Sequence, residues 1–224
     1  MIDKTLHEAG LVLQGVLQAD AVKLPESAEP YSQLLVFAHG GRRFWDYVKA
    51  RPVTENPLDD TACELGADLM SRLGESDYRI LYPIDAYSVS LLAIGRLLGW
   101  HHDSPMAIGI HGEFGTWFAY RLVIATNIDL QVSRSESEHP CHSCEARPCV
   151  NACPAMAVQF AASGGFDMNR CADERLRPGS GCAGRCLARL SCPVGLEHRY
   201  EDSQVKYHYD RSLSSLRRYR AGEG

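Results

Sequence analysis

The sequence predicts an α/β protein of the α+β type, in which a layered mixed domain precedes a small cysteine-rich module. Segments with helical and strand periodicity alternate as far as Leu130, which indicates layers of sheet and helix around one core. Eight of the nine cysteines then lie between Cys141 and Cys192. The residues around them are rich in Gly, Pro and Arg and include too few large apolar side chains to pack a core alone. Bound metal would supply the missing stability.

The first elements follow from local patterns. KTLHEAGLVLQGVLQA (4–19) has apolar residues at i, i+3, i+4 and i+7, which predicts an amphipathic helix. QLLVFAHGG (33–41) predicts a strand that ends in Gly40-Gly41, and RRFWDYVKA (42–50) predicts the helix after it. A further helix is expected from about Leu58 to Leu73.

The later elements complete this domain and lead into the module. YRILYP (78–83) predicts a strand, and AYSVSLLAIGRLLGW (86–100) predicts a helix that Gly99 closes. TWFAYRLVIAT (116–126) is rich in aromatic and β-branched residues and predicts a buried strand. We therefore expect a mixed domain over residues 1–132, a cysteine module over 133–200 and a polar helix within 201–224.

Composition and charge narrow the function classes. The chain has 224 residues, 45% of them hydrophobic and 23% charged, as in an ordinary globular protein. Its net charge of −5 gives no electrostatic reason to bind nucleic acid or an acidic membrane, and its arginine-rich end is expected to be a solvated helix face. MIDKTLHEAG lacks the basic and apolar runs of a secretory signal, and no stretch approaches the roughly 20 apolar residues of a bilayer crossing. We expect a cytoplasmic protein with no membrane partner.

Two cysteine runs carry the chemistry. The first, CHSCEARPCVNACP, is C-x2-C-x4-C-x3-C-P, and the second, from Cys171 to Pro193, is C-x10-C-x3-C-x5-C-P. In a reducing cytosol such a dense group more often binds metal than forms disulfides. Thiolates are the soft ligands that iron prefers, and four are needed for each 4Fe–4S cluster. The ninth cysteine, Cys63, lies among apolar residues at helical spacing and is expected in the core.

The pairing of ligands follows the rule for two-cluster ferredoxins, in which the cysteine before proline ligates the other cluster. Cys153 would then join the second run and Cys192 the first. The two predicted ligand sets are Cys141, Cys144, Cys149 and Cys192, and Cys153, Cys171, Cys182 and Cys186. The alternative is a pair of structural four-cysteine zinc sites, although only one C-x2-C knuckle of the zinc type is present.

The cysteine order resembles the cluster domain of epoxyqueuosine reductases and cobalamin-dependent reductive dehalogenases, with insertions inside the runs. GIHGEFGTWFAYR (109–121), GRRFWDYV (41–48) and HRYEDSQVKYH (198–208) are similar to segments of the cobalamin-processing protein associated with methylmalonic aciduria type C. The resemblance implies a nitroreductase-like domain that binds cobalamin or a flavin, followed by a ferredoxin-like two-cluster module. The chain departs from the reductases in GWHHD, where they have G-W-x-G-K, and in its shorter length. Epoxyqueuosine reduction itself is therefore not expected.

The same resemblance implies residues for a cofactor site. Asp85 is the nearest match to the reductases' catalytic acid, with a helix N-cap as the alternative. Arg121 and Arg199 match arginines that bind an anionic thiol co-substrate, with a buried arginine–carboxylate pair as the alternative. Trp117 and Phe118 belong to the same motif.

Two further features are weaker candidates. His101, with His102, is a candidate proton donor or lower axial ligand, although solvated histidines at a helix end are commoner. Gly40-Gly41 could leave backbone N–H groups free for phosphate, although a plain tight turn is the commoner role.

Two functions remain open. In the first, the chain is a reductase whose clusters receive electrons from a redox partner protein and pass them to a cofactor or small-molecule substrate held by the first domain. In the second, it is a ferredoxin-like electron carrier or partner subunit. An open cavity lined by residues 85–121 would favour the reductase, and a closed core there would favour the carrier.

Overall fold

The computed structural model describes residues 1–28, 30–84, 89–133, 137–159 and 165–222. They form two compact units: a first unit of residues 1–101 and 118–138, and a second unit of residues 102–117 and 139–224. In chain order the elements are α1 Lys4–Glu8, β1 Leu13–Gln18, β2 Gln33–Gly40, α2 Arg43–Lys49, α3 Pro57–Arg72, β3 Tyr78–Tyr82, α4 Leu91–Leu97, β4 His102–Asp103, β5 Gly109–Ile110, β6 Phe118–Thr126, α5 Pro148–Asn151, α6 Met168–Leu176, α7 Leu187–Leu190 and α8 Asp202–Arg220. Short 3-10 helices cover Ala19–Ala21, Glu26–Ala28 and Leu196–His198.

The first unit is built on an antiparallel sheet with the strand order β1-β2-β6-β3. Strand β2 is buried at every position, and β6 at all but one, because both strands lie in the middle of the sheet. Helix α3 packs on β6 through a face that includes Gly66, where a Cβ would come within 2.7 Å of Leu122. The predictions of a mixed α and β fold, of β2, β3 and β6, and of α2 and α3 are confirmed.

The predicted first helix is wrong beyond Glu8. Residues 13–18 form β1, which pairs with β2 from Leu13↔Ala38 to Gln18↔Gln33. Gly10 ends the helical turn because its φ is +102°, and a Cβ there would lie 2.2 Å from the backbone nitrogen of Phe44. The apolar spacing suits a helix and a buried strand alike, so the hydrogen bonds offered by β2 decide the outcome.

Helix α4, Leu91–Leu97, lies within the second half of the predicted range 86–100 and confirms that part of the prediction. Ser90 caps its start, since the Ser90 hydroxyl accepts the N–H of Ala93 at 3.2 Å. Gly99 ends it with φ +68°, as the sequence predicts. The predicted start at residues 86–88 lies outside the described residues.

The second unit has short elements and one long helix. Strands β4 and β5 pair through His102↔Ile110, and α8 covers the predicted polar helix. One core holds Met106, Ile110, Val158, Ala188 and Cys192. Another holds Trp117, Tyr200 and Val205. In the part of the chain that the structure describes, no helix is long and apolar enough to span a membrane.

Candidate metal centre

Short helices position the cysteines of the second unit. Asp167 caps α6, which carries Cys171, by accepting the N–H of Arg170 at 3.0 Å. Cys186 caps α7, since its Sγ accepts the N–H of Arg189 at 3.4 Å. These two sulfur atoms are therefore held inside and at the start of a hydrogen-bonded helical turn, respectively.

Four thiols border one cavity of about 320 Å³ in this unit. They are Cys153, Cys171, Cys182 and Cys186, three from the second run and one from the first. Apolar side chains including Val158 and Phe166 form part of its wall. These are the four residues of the second predicted ligand set, brought together although Cys153 and Cys171 lie 18 positions apart in the sequence.

The other four cysteines are also neighbours. Cys192 is buried in the core that Cys141 and Cys149 pack against. Burial, and after it the thiols of Cys192, Cys149 and Cys144, raise the pKa of the Cys141 thiol to about 11. The pKa of Cys192 is likewise raised, first by burial and also by Cys144.

Burial has the same effect at the cavity. It raises the pKa of Cys171 to about 11, with Cys186, Cys153 and Cys182 acting in the same direction and Arg175 against it. Backbone N–H groups oppose this effect in both sets, from Leu187 at Cys182 and from Val194 at Cys192. Thiols with such pKa values are protonated at neutral pH, so a bound cation is needed to make them thiolates.

The donor set fits a group that takes four thiolates. All nine cysteines lie in the described part of the chain, and each is a free thiol there. Arg175 and Arg199 add buried Nε–H groups that have no hydrogen-bond partner among the described residues. Among these residues, no three His, Cys, Asp or Glu side chains surround a single-ion position. Cys63 lies half-buried on α3 in the first unit.

In the structure, the described candidate cofactor residues of the first unit take part in the packing of that unit. Arg121 is buried and donates from Nε to Nδ1 of His39 at 2.9 Å, with its Nη1 4.0 Å from Asp59. This is the arginine–carboxylate arrangement given as its alternative. Phe118 and His101 are also buried. Asp85 lies outside the described residues, and Gly41 adopts φ +72°, as in a tight turn.

The candidates of the second unit pack against one another. Trp117 is fully buried, with the ring of Tyr200 edge-on at 5.3 Å and the guanidinium of Arg189 4.4 Å above its face. Arg199 donates to the carbonyl of Leu190 at 2.6 Å. Sequence reasoning missed Arg175 and Arg189, although their positions four residues after Cys171 and three after Cys186 place them beside those cysteines.

Comparisons with known proteins support the fold relationship. No protein-family model matches the chain, and no curated protein matches it. Epoxyqueuosine reductase from Streptococcus thermophilus is 14% identical, with a TM-score of 0.54 over 87% of this chain and 65% of that one. The enzyme from Bacillus subtilis is 14% identical, with a TM-score of 0.57 over 90% and 66%. A reductive dehalogenase described as suggesting a mechanism for B12-dependent dehalogenation is 14% identical, with a TM-score of 0.52 over 96% and 34%.

The predicted resemblance to these two groups of proteins is therefore confirmed at the level of the fold. The chain spans less than two thirds of the first two proteins and about a third of the dehalogenase.

Proposed function

We propose that this chain binds two 4Fe–4S clusters and acts as an iron–sulfur oxidoreductase. The observation that carries the proposal is the cavity bordered by Cys153, Cys171, Cys182 and Cys186. A ligand set that takes one cysteine from the other run is the arrangement of two-cluster ferredoxins. When bound, such clusters supply one-electron transfer.

The chain's own residues would bind and shield these groups. Eight thiolates would hold the two clusters, with Cys141, Cys144, Cys149 and Cys192 as the first set. The partly buried surroundings that raise the thiol pKa values would also limit the access of water to the metal. The second unit would then be a ferredoxin-like module, and its electrons would come from a redox partner protein.

The first unit would hold the electron acceptor. Its likeness in fold to reductases supports a nitroreductase-like domain that binds cobalamin or a flavin, and one structural neighbour is described as B12-dependent. Asp85 would be its catalytic acid, with Phe118, Arg121 and His101 as its cofactor-site candidates. The reaction would be the reduction of a cofactor or small-molecule substrate.

A second candidate is an electron carrier without a reaction of its own. It is favoured by the burial of Trp117 and by the hydrogen bond from Arg121 to His39, since both side chains are already used in packing. In this function the first unit would only dock to a partner protein.

Iron and sulfide analysis after anaerobic purification tests the main proposal. We expect about eight irons per chain, four for each cluster, and a broad brown absorbance. Replacement of Cys63 by Ala should keep all of this iron, whereas Cys182→Ala should lose about half of it. Colourless protein that contains zinc would contradict the proposal.

Addition of cobalamin or a flavin to the same preparation separates the two candidates. A shifted cofactor spectrum with saturable binding supports the reductase. If neither compound binds while the clusters are present, the carrier is favoured.

A further inference from the structure

Arg175 lies beside one predicted ligand set and is held in place by its surroundings. It is four residues after Cys171 on α6, a spacing that brings the two side chains to the same face of the helix. Its Nη1 donates to the hydroxyl of Ser212 at 3.0 Å and its Nη2 to the carbonyl of Tyr209 at 3.3 Å. Ser212, Tyr209 and Arg175 all border the cavity of the four thiols.

Arg199 has the same relation to the other ligand set. Its charge lowers the pKa of Cys192, against the larger effect of burial. Its Nη2 donates to the carbonyl of Leu190 at 2.6 Å, and its guanidinium lies 5.8 Å from the centre of the Trp117 ring. The side chain is therefore fixed between the backbone before Cys192 and a buried aromatic ring.

The two arginines share one unexplained feature. The Nε atom of each is buried and has no hydrogen-bond partner among the described residues. A buried N–H donor that lacks a partner destabilises the folded chain, so such a group calls for an acceptor. Because each Nε belongs to a cation beside a cysteine of one ligand set, a sulfur atom of the group bound there is the fitting acceptor.

We propose that Arg175 and Arg199 each donate an Nε–H hydrogen bond to a sulfur of one cluster and set the reduction potential of that cluster separately. The inference rests on the proposed function. A cluster held by these thiolates would supply one-electron transfer from a donor protein to an acceptor, and no covalent bond would change in the protein. A fixed cation and an N–H donor both stabilise the added negative charge, so each arginine makes its cluster easier to reduce.

Other charged groups do not provide the same pairing, since Nε of Arg189, which also borders the cavity, already donates to the hydroxyl of Thr116 at 3.4 Å. Arg185 also borders the cavity but is exposed, so water and salt screen its charge. Glu174 borders the cavity too, but its carboxylate is 2.8 Å from Nη2 of Arg177. The loop that joins Cys144 to Cys149 carries one acidic and one basic residue, Glu145 and Arg147.

The test is a redox titration followed by electron paramagnetic resonance, with dithionite as the reductant. Arg175→Gln should shift one midpoint to more negative potential, and Arg199→Gln should shift the other. At the wild-type midpoint the ratio of reduced to oxidised cluster should fall about 30-fold, as expected when a unit charge about 8 Å away is lost at an effective dielectric constant of about 20. Arg218→Gln removes an exposed charge on α8 and should shift neither midpoint.

A chain that lacks one ligand set shows which midpoint potential belongs to which cluster. In a chain with Cys171→Ala and Cys182→Ala, which should keep only the first set, Arg199→Gln should still shift the midpoint and Arg175→Gln should have no effect. Arg175→Lys in the full chain keeps the charge without the Nε–H donor, so it should recover part of the shift and fold normally.

The outcomes distinguish a failure of the proposed function from a failure of this inference alone. Protein without iron and sulfide overturns the proposed function together with this inference. Protein with about eight irons, in which both midpoints shift alike in each variant or neither shifts, overturns this inference alone.

Discussion

The exchange of one cysteine between the two runs is a prediction that can be tested directly. Cys171→Ala and Cys182→Ala together remove two thiols from the cavity, which should leave about four of eight irons per chain. In this background, Cys153→Ala should leave the remaining iron in place, because Cys153 borders the cavity that has lost its cluster. Cys192→Ala should remove it, because Cys192 is buried beside Cys141 and Cys149.

If four consecutive cysteines held each cluster instead, the two expected results would be reversed. Cys141, Cys144, Cys149 and Cys153 would then form one set, so Cys153→Ala would remove the last four irons and Cys192→Ala would keep them. The assay is iron and sulfide content per chain with the absorbance spectrum, and Cys63→Ala serves as the control that should change neither. Retained iron in the Cys192→Ala triple variant would refute the pairing inferred from the structure.

The loss of iron should be large because no other ligand takes the place of a buried thiol that has been removed. Burial raises the pKa of the Cys192 thiol, which favours its protonated form until a metal binds the thiolate. Alanine removes the ligand with little change in volume, so the unfolding temperature of the metal-free chains should differ little between variants. A loss of iron without a loss of folded protein assigns the effect to ligation.

Four further variants test the stability of the second unit. Gly195→Ala should lower the free energy of unfolding by about 3 kcal/mol, since its φ is +66° and a Cβ would lie 2.5 Å from the carbonyl carbon of Phe114. Gly179→Ala has φ +72° but nothing within 4 Å, so urea unfolding should show only the backbone cost of about 1 kcal/mol. Trp117→Ala should cost about 3–5 kcal/mol in the same assay because the ring is fully buried. Burial lowers the pKa of His111 from 6.5 to about 4, so the unfolded chain binds its proton first and stability is lost as the pH falls from 6.5 to 4. His111→Asn keeps an acceptor for the backbone and should reduce this loss by about 2 kcal/mol in urea titrations at several pH values, whereas an unchanged loss would contradict the assignment.

The sequence predicted most elements of the fold because their patterns are strong on their own. The run of buried residues in β2 and the polar helix α8 needed no tertiary information. The helix prediction for residues 13–18 was wrong because the spacing of apolar residues cannot show that these residues pair with the edge of β2. Only the close approach of Gly10 to Phe44 fixes where the chain leaves the helical turn.

The sequence predicted the candidate ligands of the site but not the residues that surround them. The order of the cysteines predicts both ligand sets, and the members of each set are neighbours in the structure. Arg175 and Arg189 were missed because an arginine three or four positions after a cysteine is, in the sequence alone, indistinguishable from a solvated one. Their positions become meaningful only when α6 and α7 bring them beside Cys171 and Cys186. Motif matching, in turn, could not show that Trp117 would be packed beneath Arg189.

The cysteines are part of the core of the second unit as well as candidate ligands. Cys192 lies inside an apolar cluster, and Cys141, Cys149, Cys153 and Cys186 pack against it. Few large aliphatic side chains share this region, so the packing depends on sulfur atoms whose charged form is strongly disfavoured by burial. A metal that converts these thiols to thiolates supplies the countercharge that makes their burial favourable. Metal binding and folding of this unit should therefore be linked, and chelation of iron should lower its unfolding temperature while the sheet of the first unit keeps its own.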